Sequence, residues 1–238
     1  MLEIIYQDDE LIAINKPHGL LVHRTKIARD ANEFCIQLLR DQIGQVVYPV
    51  HRIDRKTSGV LLFALNPEVN TLMQQQFMDR KVGKKYLAFV RGFLPESGTI
   101  DYALRRDDGK EQDAVTHYKT LDRVEATFPS GTFPTSRYSL IEVTPETGRM
   151  HQIRKHLAHL RHPIIGDRPH GCNKQNKLFL ERFNMNTMLL HAYYLEFKHP
   201  VTNQTVEIKA NIHREFQRVL TLEEVNLNGS HSMQLFRD

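Results

Sequence analysis

His51-Arg52-Ile53-Asp54-Arg55-Lys56-Thr57-Ser58-Gly59 leads straight into Val60-Leu61-Leu62-Phe63-Ala64. Polar turn residues give way without a break to an apolar run, the pattern of a loop at the mouth of a buried strand. Loops in that position often display functional side chains. A single carboxylate, Asp54, sits among Arg52, Arg55 and Lys56. Cations this close favour the charged form of a carboxylate, so the loop offers a nucleophile or base in a setting that attracts phosphate. A surface loop with an ordinary ion pair accounts for the same residues equally well.

Working outward, Leu2–Tyr6 and Leu11–Asn15 read as a hairpin across the acidic turn Gln7-Asp8-Asp9-Glu10. Lys16-Pro17-His18-Gly19 then breaks the strand and sets a cation at a loop mouth. A helix is predicted from Glu33 to Ile43, stopped by Gly44, and another from the Asn66-Pro67 cap to about Arg80. Tyr86–Gly92 is predicted as a central strand, with Thr99–Leu104, Ala114–Leu121 and Tyr138–Val143 as further strands. Arg105–Asp113 reads as an exposed charged loop and Phe128–Pro134 as an insertion. The clearest helix spans His151 to about Arg161, where Ile153, Leu157 and Leu160 share one face and Arg154 and Lys155 point the other way. Met188–Phe197 and Thr205–Ala210 complete the strands, His213–Leu220 is a short helix, and the residues from Thr221 to Asp238 form a polar, loosely held tail. Strands outnumber helices and often follow one another, so an α+β fold with a mixed, mostly antiparallel sheet and flanking helices is expected. With no repeat or linker, residues 1–220 read as a single domain and 221–238 as a tail.

The composition is that of a soluble globular protein, with 40% hydrophobic and 25% charged residues. No apolar run approaches the roughly 18 residues that span a bilayer, and the acidic start Met1–Glu10 does not read as a signal peptide. Cys35 and Cys172 form neither a disulfide framework nor a metal pattern, which suits a reducing cytoplasm. Net charge is +4, yet Arg149–Lys177 alone carries +6, leaving −2 for the remainder. A basic stretch in an otherwise near-neutral chain points to a polyanionic partner. His151, His156, His159, His162, His170 and His191 do not fit a His-Glu-x-x-His spacing and lack a completing carboxylate, so no metal is expected. Phosphate-binding and dinucleotide glycine motifs are missing, and Ser58 is not in a Gly-x-Ser-x-Gly elbow. Glycoside hydrolysis wants two carboxylates, and the loop supplies one.

Six motifs stand in a familiar order: Asn15-Lys16-Pro17-x-Gly19, His51-Arg52-Ile53-Asp54-x-x-Thr57-Ser58-Gly59, Lys85-Tyr86-x-Ala88, Gly148-Arg149-x-His151-Gln152-Ile153-Arg154-x-His156-Leu157-Ala158, His162-Pro163-Ile164-Ile165-Gly166-Asp167 and Leu190-His191-Ala192. Over residues 1–215 the chain resembles the RluA family of pseudouridine synthases, departing from the usual pattern at Ile53 and His170. The resemblance implies the pseudouridine synthase fold, with an active-site cleft along the sheet. It also implies isomerisation of uridine in RNA, with no cofactor and no metal. Asp54 maps to the catalytic residue, Tyr86 to the ring that stacks on the target base, and Arg154 to the cation that pairs with the catalytic carboxylate. The target nucleotide must be flipped out of its helix, and Arg52 suits the role of filling the gap. Lys16, Lys84, Lys85, Arg149, Lys155 and Arg161 are candidates for phosphate contact.

Many members begin with a small RNA-binding module; here Leu2–Asp8 reads as the first catalytic strand, so that module is expected to be absent. Gly131–Tyr138, Pro145–Arg149 and Arg161-His162-Pro163 resemble a bacterial tRNA-acting subgroup. That implies a tRNA substrate modified at position 65, in the TΨC stem. Separately, a cytoplasmic monomer with no obligate protein partner is expected. Ribosomal RNA is the alternative substrate, and a non-catalytic RNA-binding module the alternative of another class.

Overall fold

The computed structural model describes residues 1–23, 33–106, 108–129 and 131–225. In chain order the elements are β1 (Glu3–Gln7), β2 (Leu11–Lys16), α1 (Cys35–Ile43), β3 (Tyr48–Pro49), β4 (Ser58–Ala64), α2 (Pro67–Met78) and β5 (Gly83–Arg91). There follow β6 (Ser97–Asp101), β7 (Leu104–Arg105), β8 (Glu111–Gln112), β9 (Val115–Ala126), β10 (Ser136–Pro145), α3 (Gln152–His159) and α4 (Asn173–Phe183). The chain closes with β11 (Leu190–Lys198), β12 (Thr205–Lys209) and α5 (Arg214–Leu220), then a short 3-10 turn at Glu223–Val225. The described residues form two compact units, one within 1–84 and 192–211, the other within 85–191 and 212–225.

In the first unit, strands run in the order β1-β2-β4-β11, with β3 on β4 and β12 on β11. Every residue of β4 is buried, which explains why its sequence is an unbroken apolar run and not an alternating one. Leu11, Ala13, Val60 and Leu62 pack with Val69 and Met73 of α2. Ile12, Ile14, Leu61 and Phe63 turn to the other side, with Cys35 and Leu39 of α1. One helix thus covers each face of the strand pair. Helix α2 starts as its sequence predicts: the Asn66 side chain accepts the Val69 N–H at 2.9 Å and Pro67 fills the first turn.

In the second unit, β5, β10, β9 and β6 form an antiparallel ladder in that order. Ala88, Val90, Ile141 and Val143 pack on one face against Ile153 and Leu157 of α3. On the other face, Phe89, Tyr138, Phe128 and Phe179 form an aromatic cluster with centroids 5.3 to 6.3 Å apart, each pair worth about 0.5–1.5 kcal/mol beyond its buried area. Tyr138 Oη donates to Gln175 Oε1 at 2.6 Å, tying this cluster to α4.

The α+β class with flanking helices matches the sequence reading; several details do not. Helix α4 falls where the sequence predicts no element. Arg105–Asp113 holds a β7–β8 hairpin, with Arg106 N–H donating to the Lys110 carbonyl at 2.8 Å. The Phe128 ring that opens the supposed insertion is core, 1% exposed. The tail is not loose at its start: Val225 is fully buried and Glu224 pairs with Arg182 at 2.7 Å; the rest of the tail lies outside the described residues. Helix α3 is shorter than predicted because His151 and Arg161, at its two ends, both take left-handed conformations (φ 56° and 64°).

Candidate active site

In the first unit, Asp54 stands in the turn just before β4, closed by Thr57 N–H donating to the Asp54 carbonyl at 3.0 Å. Behind it Thr57 and Ser58 are buried, while Asp54 is half-buried and Arg52 exposed. Lys16 at the end of β2 is fully buried, in contrast to the solvent-facing phosphate contact that its sequence position suggests. Its Nζ donates to the carbonyls of Pro17, Leu20 and Arg55 at 2.9, 2.8 and 3.1 Å. An ammonium has three protons, so all are spent on the backbone. Gly19 N–H donates to the Arg55 carbonyl at 2.8 Å and Arg55 Nε returns a bond to the Gly19 carbonyl at 3.0 Å. Loop 17–20 and the Asp54 turn are therefore one knitted structure. Burial pushes the Lys16 ammonium down to about 8, while the attraction of Asp54 opposes the shift.

His51 anchors the same turn from the other side. Its Nε2 accepts the Leu62 N–H of β4 at 3.1 Å, and its ring stacks on Phe77 of α2 at 4.8 Å. A nitrogen that accepts a backbone N–H carries no proton. Burial, reinforced by the Lys84 charge, accordingly pushes this imidazole down to about 3. Burial and then Arg80 also lower the Lys84 ammonium.

The second unit carries Tyr86 and Arg154. Tyr86 is half-buried on β5, opposite Val143, against the cluster that α3 covers. Lys85 beside it lies 3.7 Å from Glu142. Arg154 is 4% exposed, so it is not on a solvated helix face as the periodicity suggests. Its Nε and Nη2 donate to Asp167 Oδ2 and Oδ1 at 2.7 and 2.8 Å, a buried bidentate pair. Asp167 itself is held by its surroundings. Asn176 accepts the Gly166 N–H at 2.9 Å and donates to the Asp167 carbonyl at 2.7 Å. A Cβ on Gly171 would lie 1.7 Å from that same carbonyl. Asp167 ends the His162–Asp167 motif, but nothing in its spacing shows that it reaches back to α3, so sequence alone assigns it no role.

Arg149 and Lys155 line a groove of about 350 Å³ together with Arg105, Arg106, Asp108 and Gln112. Arg149 is steadied by donating Nε to the Asp113 carbonyl at 3.1 Å. Four cations against one carboxylate give this groove a positive lining, a setting that attracts anions. Sequence reading finds two of the four; Arg105 and Arg106 join them only because the hairpin folds back beside α3. Arg161 stands apart, exposed at the end of that helix. Among the described residues, no group of three or more His, Cys, Asp or Glu could hold a metal, and no helix is long and apolar enough to cross a membrane.

Residues 10–159 match the family model described as RNA pseudouridylate synthase. The tRNA pseudouridine synthase C of Vibrio parahaemolyticus is 48% identical over 92% of this chain and 94% of its own length. That of Pasteurella multocida is 46% identical over 97% and 99%. Among solved structures, human RNA Pseudouridylate Synthase Domain Containing 4 superposes with a TM-score of 0.68 at 26% identity, over 90% of each chain. The human Domain Containing 1 protein reaches a TM-score of 0.73 over 99% of this chain and 93% of its own, at 24% identity, a likeness of fold. By motif order, fold and sequence, the chain belongs to the RNA pseudouridylate synthase family, in its RluA-type branch.

Proposed function

We propose that this protein isomerises uridine to pseudouridine in tRNA, at position 65 in the TΨC stem. The observation that carries the reading is the Asp54 turn: a half-buried carboxylate among cations, locked by the buried Lys16 and by His51, in a chain nearly half identical to proteins named tRNA pseudouridine synthase C. Asp54 is the catalytic carboxylate, Tyr86 the ring that stacks on the target uracil, and Arg154 the cation that pairs with Asp54. The catalytic domain spans both units, and the protein acts as a cytoplasmic monomer without an obligate protein partner.

The bond from uracil N1 to ribose C1′ breaks, the base turns, and a bond from C5 to C1′ forms. The C5 proton leaves and N1 gains one, so nothing is consumed and no oxidant or energy source is required. A stacked uridine hides both positions, so it is flipped out at a cost of a few kcal/mol. Stacking on Tyr86 returns about 1–3 kcal/mol, and Arg52, exposed beside the turn, fills the vacated place. Phosphates are held by Arg149 and Lys155 with Arg105 and Arg106, and by Lys84, Lys85 and Arg161, through charge and not base identity. An unmodified tRNA transcript and one with cytidine at position 65 test the substrate. Pseudouridine in the first and none in the second is the expected result. Modification elsewhere in the tRNA, or only in ribosomal RNA, sinks the assignment of substrate while keeping the chemistry.

A further inference from the structure

We propose that His151 and His170 are positioning residues for Arg154: their ring-to-ring hydrogen bond locks the start of α3 to loop 166–171, and double protonation releases it. This rests on Arg154 serving the reaction. His151 Nδ1 and His170 Nε2 lie 3.0 Å apart, with the rings edge to face at a centroid distance of 5.2 Å. A bond between two ring nitrogens needs one to donate and one to accept. The pair can hold one extra proton, but a second leaves N–H facing N–H.

Both ends of the bond lead to Arg154. His151 caps α3 in a left-handed conformation (φ 56°, ψ 28°) with no side-chain bond to the helix backbone, a conformation that a residue with a Cβ adopts only where its surroundings hold it. Its carbonyl accepts the Lys155 N–H at 2.9 Å, so its position sets the first turn, on which Arg154 stands. At the other end, His170 N–H points at Asp167 Oδ1 at 3.4 Å, the oxygen that also accepts Arg154 Nη2. The imidazole bond thus closes a ring that runs His151, Arg154, Asp167, His170.

The charges around His170 decide when the ring opens. Burial lowers its basicity most; Asp167 opposes this, and Arg154, His151 and Lys155 reinforce it. The neutral form is therefore favoured in the folded protein, and the acidic state is reached only below the ordinary histidine value of about 6.5. Arg154 is released as pH falls through that lower range, and is fully held at neutral pH and above.

The test compares wild type with His170→Tyr, whose hydroxyl can bond His151 without titrating in this range, and His170→Phe, which cannot bond it. Tritium release from tRNA labelled at uracil C5 gives kcat and KM at pH values from about 5 to 8. In His170→Phe we expect kcat to be about tenfold below wild type at neutral pH with KM within about twofold, the pattern of a lost transition-state interaction, and the gap to close in acid, where wild type loses the same bond. We expect His170→Tyr to recover most of that rate and to lose the wild-type decline below about pH 6.5. A second readout is independent of turnover: the Arg154 Nε–H resonance in NMR is expected to broaden in acid in wild type and to persist in His170→Tyr. Should His170→Tyr lower the melting temperature, His170→Gln, which also bonds without titrating, takes its place; should His170→Phe do so, His170→Leu, which cannot bond either, replaces it. Wild-type kcat and pH profile in a folded His170→Phe, or an acid decline unchanged in His170→Tyr, overturns the proposal. If wild type releases no tritium, the proposed function has failed, and the Arg154 resonance alone decides this inference: a signal indifferent to pH overturns it.

Discussion

Arg154 shows why a single residue's role is hard to read from periodicity. A helical wheel assigns it to the face away from Ile153 and Leu157, and polar faces are usually wet. Here Arg154 is buried while Lys155 and Ala158 on the same side are only partly so, and a bidentate partner thirteen positions on makes that burial tolerable. Removing one member of a buried pair costs roughly 3–5 kcal/mol. Asp167→Asn should therefore lower stability by that order in urea unfolding and lower kcat more than it raises KM. Lys16 departs from its sequence reading for the same reason: its position shows a cation at a loop mouth, but not three carbonyls converging on it. Its proton has a consequence for stability. The native ammonium sits at about 8, below the roughly 10.4 of an unfolded lysine. Between those values the unfolded chain holds the proton that the folded one has shed, so stability rises with pH across that window. The rise should vanish in Lys16→Met, measured by urea unfolding at a series of pH values. His51 acts at the acid end: neutral when folded and protonated below about 6.5 when unfolded, it withdraws stability as pH falls from there towards about 3. His51→Gln should flatten that slope.

At the scale of elements, the strands and most helices are legible because their signals are local. The apolar run of β4, the Asn66-Pro67 start of α2 and the Gly44 stop of α1 each carry their own explanation. Helix α4 escapes notice because only Gln175, Phe179 and Phe183 are buried, a stripe of one residue per turn in a strongly polar segment. That spacing of four is the available signal, and the charge of the surrounding stretch masks it. The β7–β8 hairpin is invisible for another reason, since its strands are two residues each and have no pattern to show. Close packing between elements is equally silent in sequence. Gly59 has φ 113°, and a Cβ there would lie 2.0 Å from the Ala192 carbonyl on β11. Both facts exclude any other residue. Gly59→Ala should lower stability by at least about 3 kcal/mol, in the range of severe core substitutions, and a variant that melts like wild type would show that the two strands can part.

For the molecule as a whole, the concentration of charge in Arg149–Lys177 is a poor map of where the cations gather. Arg154 is buried against Asp167 and does not line the groove, whereas Arg105 and Arg106 come in from outside the stretch to meet Arg149 and Lys155. Distance along the chain does not report such convergence. The double substitution Arg149→Ala with Lys155→Ala should raise KM and leave kcat within about twofold. It should also reduce the slope of log affinity against log salt by about one for each phosphate no longer neutralised. An unchanged slope would place the RNA backbone elsewhere. The central claim is that Asp54 performs an isomerisation. Tritium release from unmodified tRNA labelled at uracil C5, with Asp54→Asn assayed beside wild type and RNA binding measured for both, tests it most directly. Release by wild type, none by the variant, and similar binding by both is the predicted result. Release by Asp54→Asn at the wild-type rate would contradict it.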